Sequence, residues 1–438
     1  MTMAAERNMS LDDALADAEA RYVAANPKSR ARHAEAARSL PGGNTRSILF
    51  YPPFPVTITR GAGARLFDLD GHEYLDFLGE YTAGLYGHSD PVIRAAIEQA
   101  LADGILLGAP NRHEAELARL ICARFRSCEL VRFCNSGTEA NLNALSGARA
   151  ATGRSHILVF EGAYHGGMLS FAHGASPMSI PFPYVFARYN DLEGTQALIE
   201  RHAHELAAIV IEPMMGAGGC IPAEPDFLAG LREAATRQGI ILIFDEVMTS
   251  RLSPGGLQGK LGIIPDMTTF GKYLGGGMSF GAFGGRGSIM ERFDPSRPDA
   301  LPHSGTYNNN VLTMAAGVAG LSRVFTPEAA EALTASGERF KARLNAIGLR
   351  RGVPVQVTGV GSILCMHFQH EPIRQPDDTL HTPPAARALF HLEMLARGYY
   401  VARRGFIALS LPLAEPDYDA FAAAFEDFLD ACGPALTG

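Results

Sequence analysis

The chain has 438 residues, a length that suits one large α/β domain with a smaller domain beside it. Its 38 basic and 46 acidic residues give a net charge of −8, which argues against a nucleic-acid partner. The six cysteines form no C-x-x-C pair, so the sequence suggests neither a zinc site nor a disulfide framework.

The sequence shows no sign of a targeting or membrane segment. Its first residues include early acidic side chains and lack the apolar core of a signal peptide. Later segments do not reach the roughly 18 uninterrupted apolar residues of a membrane helix. We therefore expect a soluble, cytoplasmic protein.

The first part of the chain predicts one helix followed by short strands. Ser10 and Asp13 have capping spacing, so a helix is expected from residue 11 to near Asn26. A hairpin is expected at Asp70-Gly71, because alternating apolar residues flank this turn. The predicted strands lie at 48–51, 56–60, 64–71 and 73–79. We assign residues 1–75 as an N-terminal segment that joins a small domain.

From about residue 90, short apolar runs alternate with amphipathic helices. The runs at 156–160, 207–211 and 240–244 lack alternation, which is typical of strands buried on both faces. Strands that alternate with helices indicate a mostly parallel sheet. We expect residues 76–325 to form a large α/β domain around that sheet.

After residue 325 the pattern changes again. A helix is predicted at 327–349, strands near 355–368 and 406–412, and a closing helix at 415–432. Residues 326–438 are therefore expected to form a small α+β domain.

The first segment with candidate chemistry is NSGTEAN at 135–141. Ser136 and Glu139 have the spacing of a capping box at the start of a helix. Such a helix start can bind phosphate, because its first N–H groups lack partners within the helix. An ordinary capped helix explains the same residues, so this segment alone leaves both interpretations open.

The second segment is IFDEV at 243–247, where two carboxylates end an apolar strand. Ligands bind at the carboxyl ends of parallel strands, so Asp245 could hold a positive charge such as a protonated ring nitrogen. A loop carboxylate that caps a neighbouring turn is an equally good explanation.

The third segment, at 267–277, contains one of only four lysines in the chain. Most lysines are solvated surface charges, but Lys272 lies between apolar residues and glycines. Such surroundings lower the pKa of an amine and make it a usable nucleophile. An anion site, a strand-end carboxylate and a buried amine together match the phosphate, ring nitrogen and aldehyde of pyridoxal phosphate.

On these motifs the sequence resembles the class III aminotransferases, which are fold-type I pyridoxal-phosphate enzymes with an aspartate-aminotransferase-like fold. The resemblance runs from about residue 40 to the C-terminus. It implies an α/β protein with a large, mostly parallel sheet domain and a small α+β domain. The shared segments are NSGTEA at 135–140, YHG at 164–166, IEP at 211–213, FDEV at 244–247, GKYLGGG at 271–277 and HSGTYNNN at 303–310.

The resemblance implies a role for each matching residue. Lys272 would form the Schiff base with the cofactor and move a proton, while Asp245 would hold the ring nitrogen. Thr306 would reach the phosphate of the partner subunit, which implies a homodimer with active sites at the subunit interface. The other cofactor-binding residues implied are Ser136, Gly137 and Thr138 at the phosphate, Tyr164 and Val247 on the two ring faces, and Glu212 near the ring substituents.

Two branches of the family fit the sequence, the β-amino-acid (β-phenylalanine type) aminotransferases and the glutamate-1-semialdehyde aminomutases. DEVMTS at 245–250 and the glycine-rich stretch at 275–286 resemble the aminomutases. The YNNN tract at 307–310 and Arg251 instead resemble the β-amino-acid enzymes.

Three residues are candidates for substrate binding. Arg46 and Arg404 match arginines that handle the substrate carboxylate, and a guanidinium suits that task. The alternative for Arg46 is a surface arginine, and Tyr81 could line an aromatic-accepting site or belong to the core.

We expect a transaminase that passes the amino group of a β-amino acid to 2-oxoglutarate or pyruvate by a ping-pong mechanism. The alternative is an aminomutase, which would use the same lysine and aspartate. A non-catalytic cofactor-binding protein on this fold agrees less well with the retained Lys272.

Overall fold

The computed structural model describes residues 10–172 and 174–437. Part of the expectation about the N-terminus concerns residues 1–9, which lie outside the described residues. Among the helices that are described, none is long and apolar enough to cross a membrane.

Helices and strands alternate through the middle of the chain. The helices are α1 (Leu11–Ala25), α2 (Pro27–Ala36), α3 (Pro91–Asp103), α4 (Arg112–Arg124), α5 (Gly137–Thr152), α6 (Leu192–Arg201), α7 (Pro225–Gln238), α8 (Gly256–Leu261), α9 (Gly287–Met290), α10 (Val311–Ala319), α11 (Pro327–Arg351), α12 (Pro384–Ala396) and α13 (Glu415–Thr437). The strands are β1 (Ile58–Ala62), β2 (Arg65–Asp68), β3 (Glu73–Asp76), β4 (Leu130–Cys134), β5 (His156–Phe160), β6 (Tyr184–Ala187), β7 (Leu206–Ile211), β8 (Met214–Met215), β9 (Ile221–Pro222), β10 (Ile241–Asp245), β11 (Met267–Gly271), β12 (Gly281–Gly285), β13 (Val355–Val360), β14 (Ile363–Phe368), β15 (Tyr399–Tyr400) and β16 (Phe406–Ala408).

The central sheet has seven strands in the order β4-β12-β11-β10-β7-β5-β6. The strands from β11 to β6 are parallel to their neighbours, and only β12 runs antiparallel to both of its own. Every residue of β7, β10 and β11 is buried, which explains why their sequences lack alternation. The predicted α/β fold with a mostly parallel sheet is confirmed.

Two smaller sheets flank this core. One has the order β1-β2-β3-β15, in which β3 is parallel to β15 from the C-terminal part of the chain. The other, β13-β14-β16, is antiparallel. The N-terminal segment and the C-terminal part therefore share a sheet. We retain the division at residues 75 and 325 as a proposal.

The N-terminal elements differ from prediction at two points, of which the first is a second helix, α2, that follows α1 because Pro27 suits the first position of a new helix. The helix capped by Ser10 is present, and the Ser10 hydroxyl accepts from Asp13 N at 3.2 Å. The strand predicted at 48–51 is wrong, because Ser47–Leu49 forms a short 3-10 turn. Prolines at 52, 53 and 55 follow this turn, and they lack the N–H donors that strand pairing needs.

Candidate active site

Two of the predicted site residues lie at the carboxyl edge of the central sheet. Asp245 ends β10 and Lys272 directly follows β11, and these strands are parallel with Asp245 opposite Thr269. A cavity of about 480 Å³ opens at this edge. Its lining includes five residues predicted from the sequence, namely Lys272, Tyr164, Arg46, Tyr81 and Arg404.

Lys272 lies at the inner end of the cavity. Burial lowers the pKa of its amine to about 8; the Asp245 carboxylate opposes this shift, and the positive charges of Arg46 and Arg404 add to it. Its backbone φ is +56°, a left-handed conformation that a residue with a side chain adopts only when its surroundings enforce it. Lys272 therefore presents to the cavity an amine whose pKa is lowered by burial.

Asp245 is 5% exposed, and donors hold both of its carboxylate oxygens. Oδ2 accepts from His165 Nδ1 at 2.8 Å and from Asn141 Nδ2 at 2.9 Å, and Oδ1 accepts from Val247 N at 3.0 Å. Burial alone would lower the pKa of His165, but its hydrogen bond to Asp245 and the charge of that carboxylate raise it. These contacts fix the orientation of the carboxylate.

The sequence reasoning missed Asn141 and His165, which hold Asp245, and Thr269, which holds Asn141. Asn141 Nδ2 also donates to Gly137 O and His165 O, each at 3.1 Å, and Thr269 Oγ1 donates to Asn141 Oδ1 at 2.9 Å. Asn141 and His165 do stand inside the NSGTEAN and YHG motifs. Their partner is 104 and 80 residues away, so only their place in those motifs could have marked them.

The start of α5 is a capped helix, which is one of the two interpretations of the segment at 135–141. Ser136 Oγ accepts from Glu139 N at 3.2 Å, and Glu139 Oε2 accepts from Asn135 N at 2.9 Å. The cap leaves other first-turn N–H groups without helical partners. A side chain at Gly137 would place its Cβ 3.0 Å from Val247 Cγ2, so glycine keeps this helix start open beside Val247.

Glu212 anchors the backbone on the side of Tyr164. Its Oε1 accepts from Tyr164 N at 3.0 Å and its Oε2 from Gly216 N at 2.9 Å. Burial raises the pKa of Glu212 to about 7, although its backbone donors and His165 oppose the shift. The Tyr164 side chain is 46% exposed and lines the cavity.

The two arginines lie at the outer end of the cavity, beside Tyr81. The guanidinium carbon of Arg46 is 5.8 Å from the Tyr81 ring centroid, and that of Arg404 is 5.1 Å from it. Arg404 also lies over Phe406 at 5.2 Å, and its guanidinium makes no ion pair with the residues described. Arg46 pairs with Glu80. Both arginines line the same cavity as Lys272.

Thr306 is exposed and does not line the cavity formed by the described residues of its own chain. Its segment nevertheless lies near the start of α5, since Asn308 Oδ1 accepts from Asn135 Nδ2 at 3.0 Å. The contribution of Thr306 to a partner subunit stays a prediction.

The residues present fit pyridoxal phosphate. The cavity joins the Lys272 amine and an exposed tyrosine ring, the Asp245 carboxylate ends the strand next to that of Lys272, and a helix start suited to an anion lies beside Gly271 at the end of β11. His165 Nε2 is buried and has no partner within residues 10–172 and 174–437, which leaves it free to face a bound group.

Comparisons with known proteins agree with this site. The family described as aminotransferase class-III matches residues 50–388. A β-phenylalanine transaminase of Variovorax paradoxus is 53% identical to this chain over 98% of both chains. The crystal structure of a β-phenylalanine aminotransferase from the same organism superposes with a TM-score of 0.95, over 97% of this chain and 98% of that one. A glutamate-1-semialdehyde 2,1-aminomutase of Desulforudis audaxviator is 38% identical over 89% of this chain and 94% of its own. The chain therefore belongs to the class III aminotransferases, and it is a pyridoxal-phosphate-dependent transaminase of fold type I.

Proposed function

We propose that this enzyme transfers the amino group of an aromatic β-amino acid, of the β-phenylalanine type, to 2-oxoglutarate or pyruvate. The observation that carries the proposal is that Arg46, Arg404 and Tyr81 line one cavity with Lys272. Guanidinium groups bind a carboxylate, and an aromatic ring beside them offers an apolar surface. The 53% identity to a β-phenylalanine transaminase supports the same substrate class.

Bound pyridoxal phosphate supplies an electron sink for the electrons of the bond that breaks at the amine-bearing carbon. Lys272 would attach the cofactor through its amine and, once released by the substrate, take the proton from that carbon and return it elsewhere. Its pKa of about 8 suits this exchange, because a general base works best when its pKa lies near the working pH.

Asp245 would keep the ring nitrogen of the cofactor protonated. A carboxylate held by three donors cannot easily rotate, so His165 and Asn141 act as positioning residues for Asp245. The N–H groups and side chains of Ser136, Gly137 and Thr138 would bind the phosphate. Tyr164 and Val247 would pack against the two faces of the ring, with Glu212 near its substituents.

Arg46 and Arg404 would bind different carboxylate groups of the substrates. Arg46 would bind the carboxylate of the β-amino acid. Arg404 is held by ring stacking and by no ion pair with a described residue, so it can change position at low cost. In one position it would leave room for an apolar side chain, and in another it would bind the second carboxylate of 2-oxoglutarate.

We propose a ping-pong mechanism, which the presence of one lysine in one cavity supports. The amino donor and the keto-acid acceptor both have to reach Lys272 through the same space, so they would bind in turn. We further propose a homodimer in which Thr306 completes the phosphate site of the partner subunit.

The test is amino transfer from racemic β-phenylalanine by the purified holoenzyme, with 2-oxoglutarate or pyruvate as acceptor. We expect one glutamate or alanine for each β-phenylalanine consumed. Lys272→Ala should abolish both this transfer and the absorption of the attached cofactor, whereas Lys341→Ala, which alters an amine on α11, should leave them intact. Conversion of glutamate-1-semialdehyde to 5-aminolevulinate alone would instead establish the aminomutase.

A further inference from the structure

We propose that Glu80 is a built-in occupant of the carboxylate site at Arg46, which each carboxylate substrate displaces. This inference rests on the proposed function in one respect, that Arg46 binds the substrate carboxylate. It adds a residue that sets how tightly that carboxylate binds and keeps other anions away from the empty site.

The contact between the two side chains is a single one. Arg46 Nη1 donates to Glu80 Oε1, and the Nε and Nη2 groups of Arg46 have no partner among the residues that the structure describes. Both side chains are about half exposed, 46% for Arg46 and 49% for Glu80. A single-contact ion pair in partly exposed surroundings is weak, whereas a substrate carboxylate can bind the guanidinium with both oxygens.

A cavity next to Arg46 can accept the Glu80 side chain when a substrate carboxylate displaces it. Arg46 lines the cavity of Lys272, but Glu80 lines a neighbouring cavity of about 410 Å³ that also contains His33 and His88. The carboxylate can thus leave the guanidinium and move toward these two imidazoles. The exchange replaces one carboxylate by another, so the charge beside Arg46 is the same before and after binding.

The backbone around Glu80 is strained. Glu80, Tyr81 and Thr82 have φ values of +46°, +52° and +80°, in the left-handed region that residues with side chains avoid. Strain of this kind persists only where surrounding contacts enforce it, and it clusters at functional sites.

Two contacts enforce this turn. At its start, Asp76 Oδ1 accepts from Gly79 N at 2.9 Å, and at its end Thr82 O accepts from the buried Arg251 Nη1 at 3.3 Å. The turn directs Glu80 to Arg46 and places the Tyr81 ring beside both arginines. Its strained backbone therefore presents neighbouring side chains to the two cations of the cavity.

The experiment compares Glu80→Gln with the unchanged holoenzyme, using 3-phenylpropanoate as an unreactive carboxylate probe. Removal of the competitor should lower the Kd of this probe about two- to fivefold, the range expected for an exposed ion pair. The Kd of 3-phenylpropan-1-ol, which lacks the carboxylate, should stay the same. In turnover, the KM for β-phenylalanine should fall by a similar factor with kcat almost unchanged, and chloride should inhibit more strongly.

Glu73→Gln is the matched control. Glu73 pairs with Arg65 outside the cavity, and the two side chains are 47% and 50% exposed, so the lost ion pair is of the same kind. This variant should bind both probes as the unchanged enzyme does.

Two results would overturn the proposal. One is a Kd for 3-phenylpropanoate that is unchanged or higher in Glu80→Gln, and the other is an equal shift for the alcohol. Arg46→Met separates this failure from failure of the proposed function, because binding needs no turnover. If Arg46→Met weakens the carboxylate probe while Glu80→Gln has no effect, only the role of Glu80 is refuted. If Arg46→Met has no effect either, Arg46 is not the carboxylate site.

Discussion

The inner and outer ends of the cavity are built differently. At the inner end, burial lowers the pKa of Lys272, and Asp245 at the end of the neighbouring strand is buried and fixed by three donors. At the outer end, Arg404 rests on two aromatic rings and Arg46 on one weak ion pair. Buried, fully bonded groups tolerate no change of partner, whereas loosely held cations can serve more than one ligand. Changes at the inner end should therefore affect the reaction rate, and changes at the outer end should affect substrate binding.

The largest of the three effects is expected for Asp245→Asn. The new amide cannot accept from three donors as the carboxylate does, and it carries no charge to hold a protonated ring nitrogen. We expect kcat to fall about 10²- to 10³-fold, the usual cost of losing one electrostatic or proton-holding group in an active site. Single-turnover spectroscopy of the bound cofactor would measure the change.

Asp266→Asn is the control for this loss. Asp266 is also buried, but it lies next to the start of β11 and pairs with Arg232 at 2.9 Å. Its replacement should lower the melting temperature without a comparable loss of kcat. Equal losses of kcat in both variants would mean that Asp245 acts through stability alone.

The sequence predicted the inner end of the cavity better than the outer end. Lys272 and Asp245 follow apolar strands, and the C-terminal ends of parallel strands meet at one edge, so their proximity could be predicted. The strands β5, β7 and β10 could also be predicted, because strands buried on both faces have continuous apolar sequences.

The contacts of the outer end depend on folding across long separations. Arg46 meets Glu80 and Tyr81 only because the N-terminal segment crosses the cavity, and no periodic pattern encodes such a contact. The roles of His165 and Asn141 were missed for a similar reason, since each depends on a distant partner, Asp245 at the end of β10. The left-handed turn at 80–82 contains no glycine to mark it, so only the structure reveals it.

The next effect in size concerns Arg404. Arg404→Met keeps an apolar side chain over Tyr81 and Phe406 but removes the charge. We expect the KM for 2-oxoglutarate to rise about tenfold to a hundredfold, the range for one lost hydrogen-bonded charge, and the KM for pyruvate to rise less. Initial rates with varied acceptor would measure both values.

Arg403→Met is the matched control, because it alters the neighbouring arginine. Arg403 Nη1 donates to Pro52 O at 2.8 Å and does not line the cavity formed by the described residues. It should leave both KM values unchanged. A rise for pyruvate as large as that for 2-oxoglutarate would refute a special role of Arg404 toward the second carboxylate.

The smallest effect tests whether the two ends communicate through charge. If Lys272 attaches the cofactor as proposed, its pKa of about 8 means that only its neutral fraction can attack the aldehyde of added cofactor. In the apoenzyme, the initial rate of cofactor attachment should rise about tenfold from pH 7 to pH 9, whereas an ordinary lysine with a pKa near 10.4 would give about a hundredfold rise. Borohydride trapping at short times would measure the rate.

Because the positive charge of Arg404 lowers the pKa of Lys272, Arg404→Met should raise that pKa and make the pH dependence steeper. An unchanged profile would mean that the outer cations act on substrates alone and leave the inner amine to be tuned by burial and Asp245.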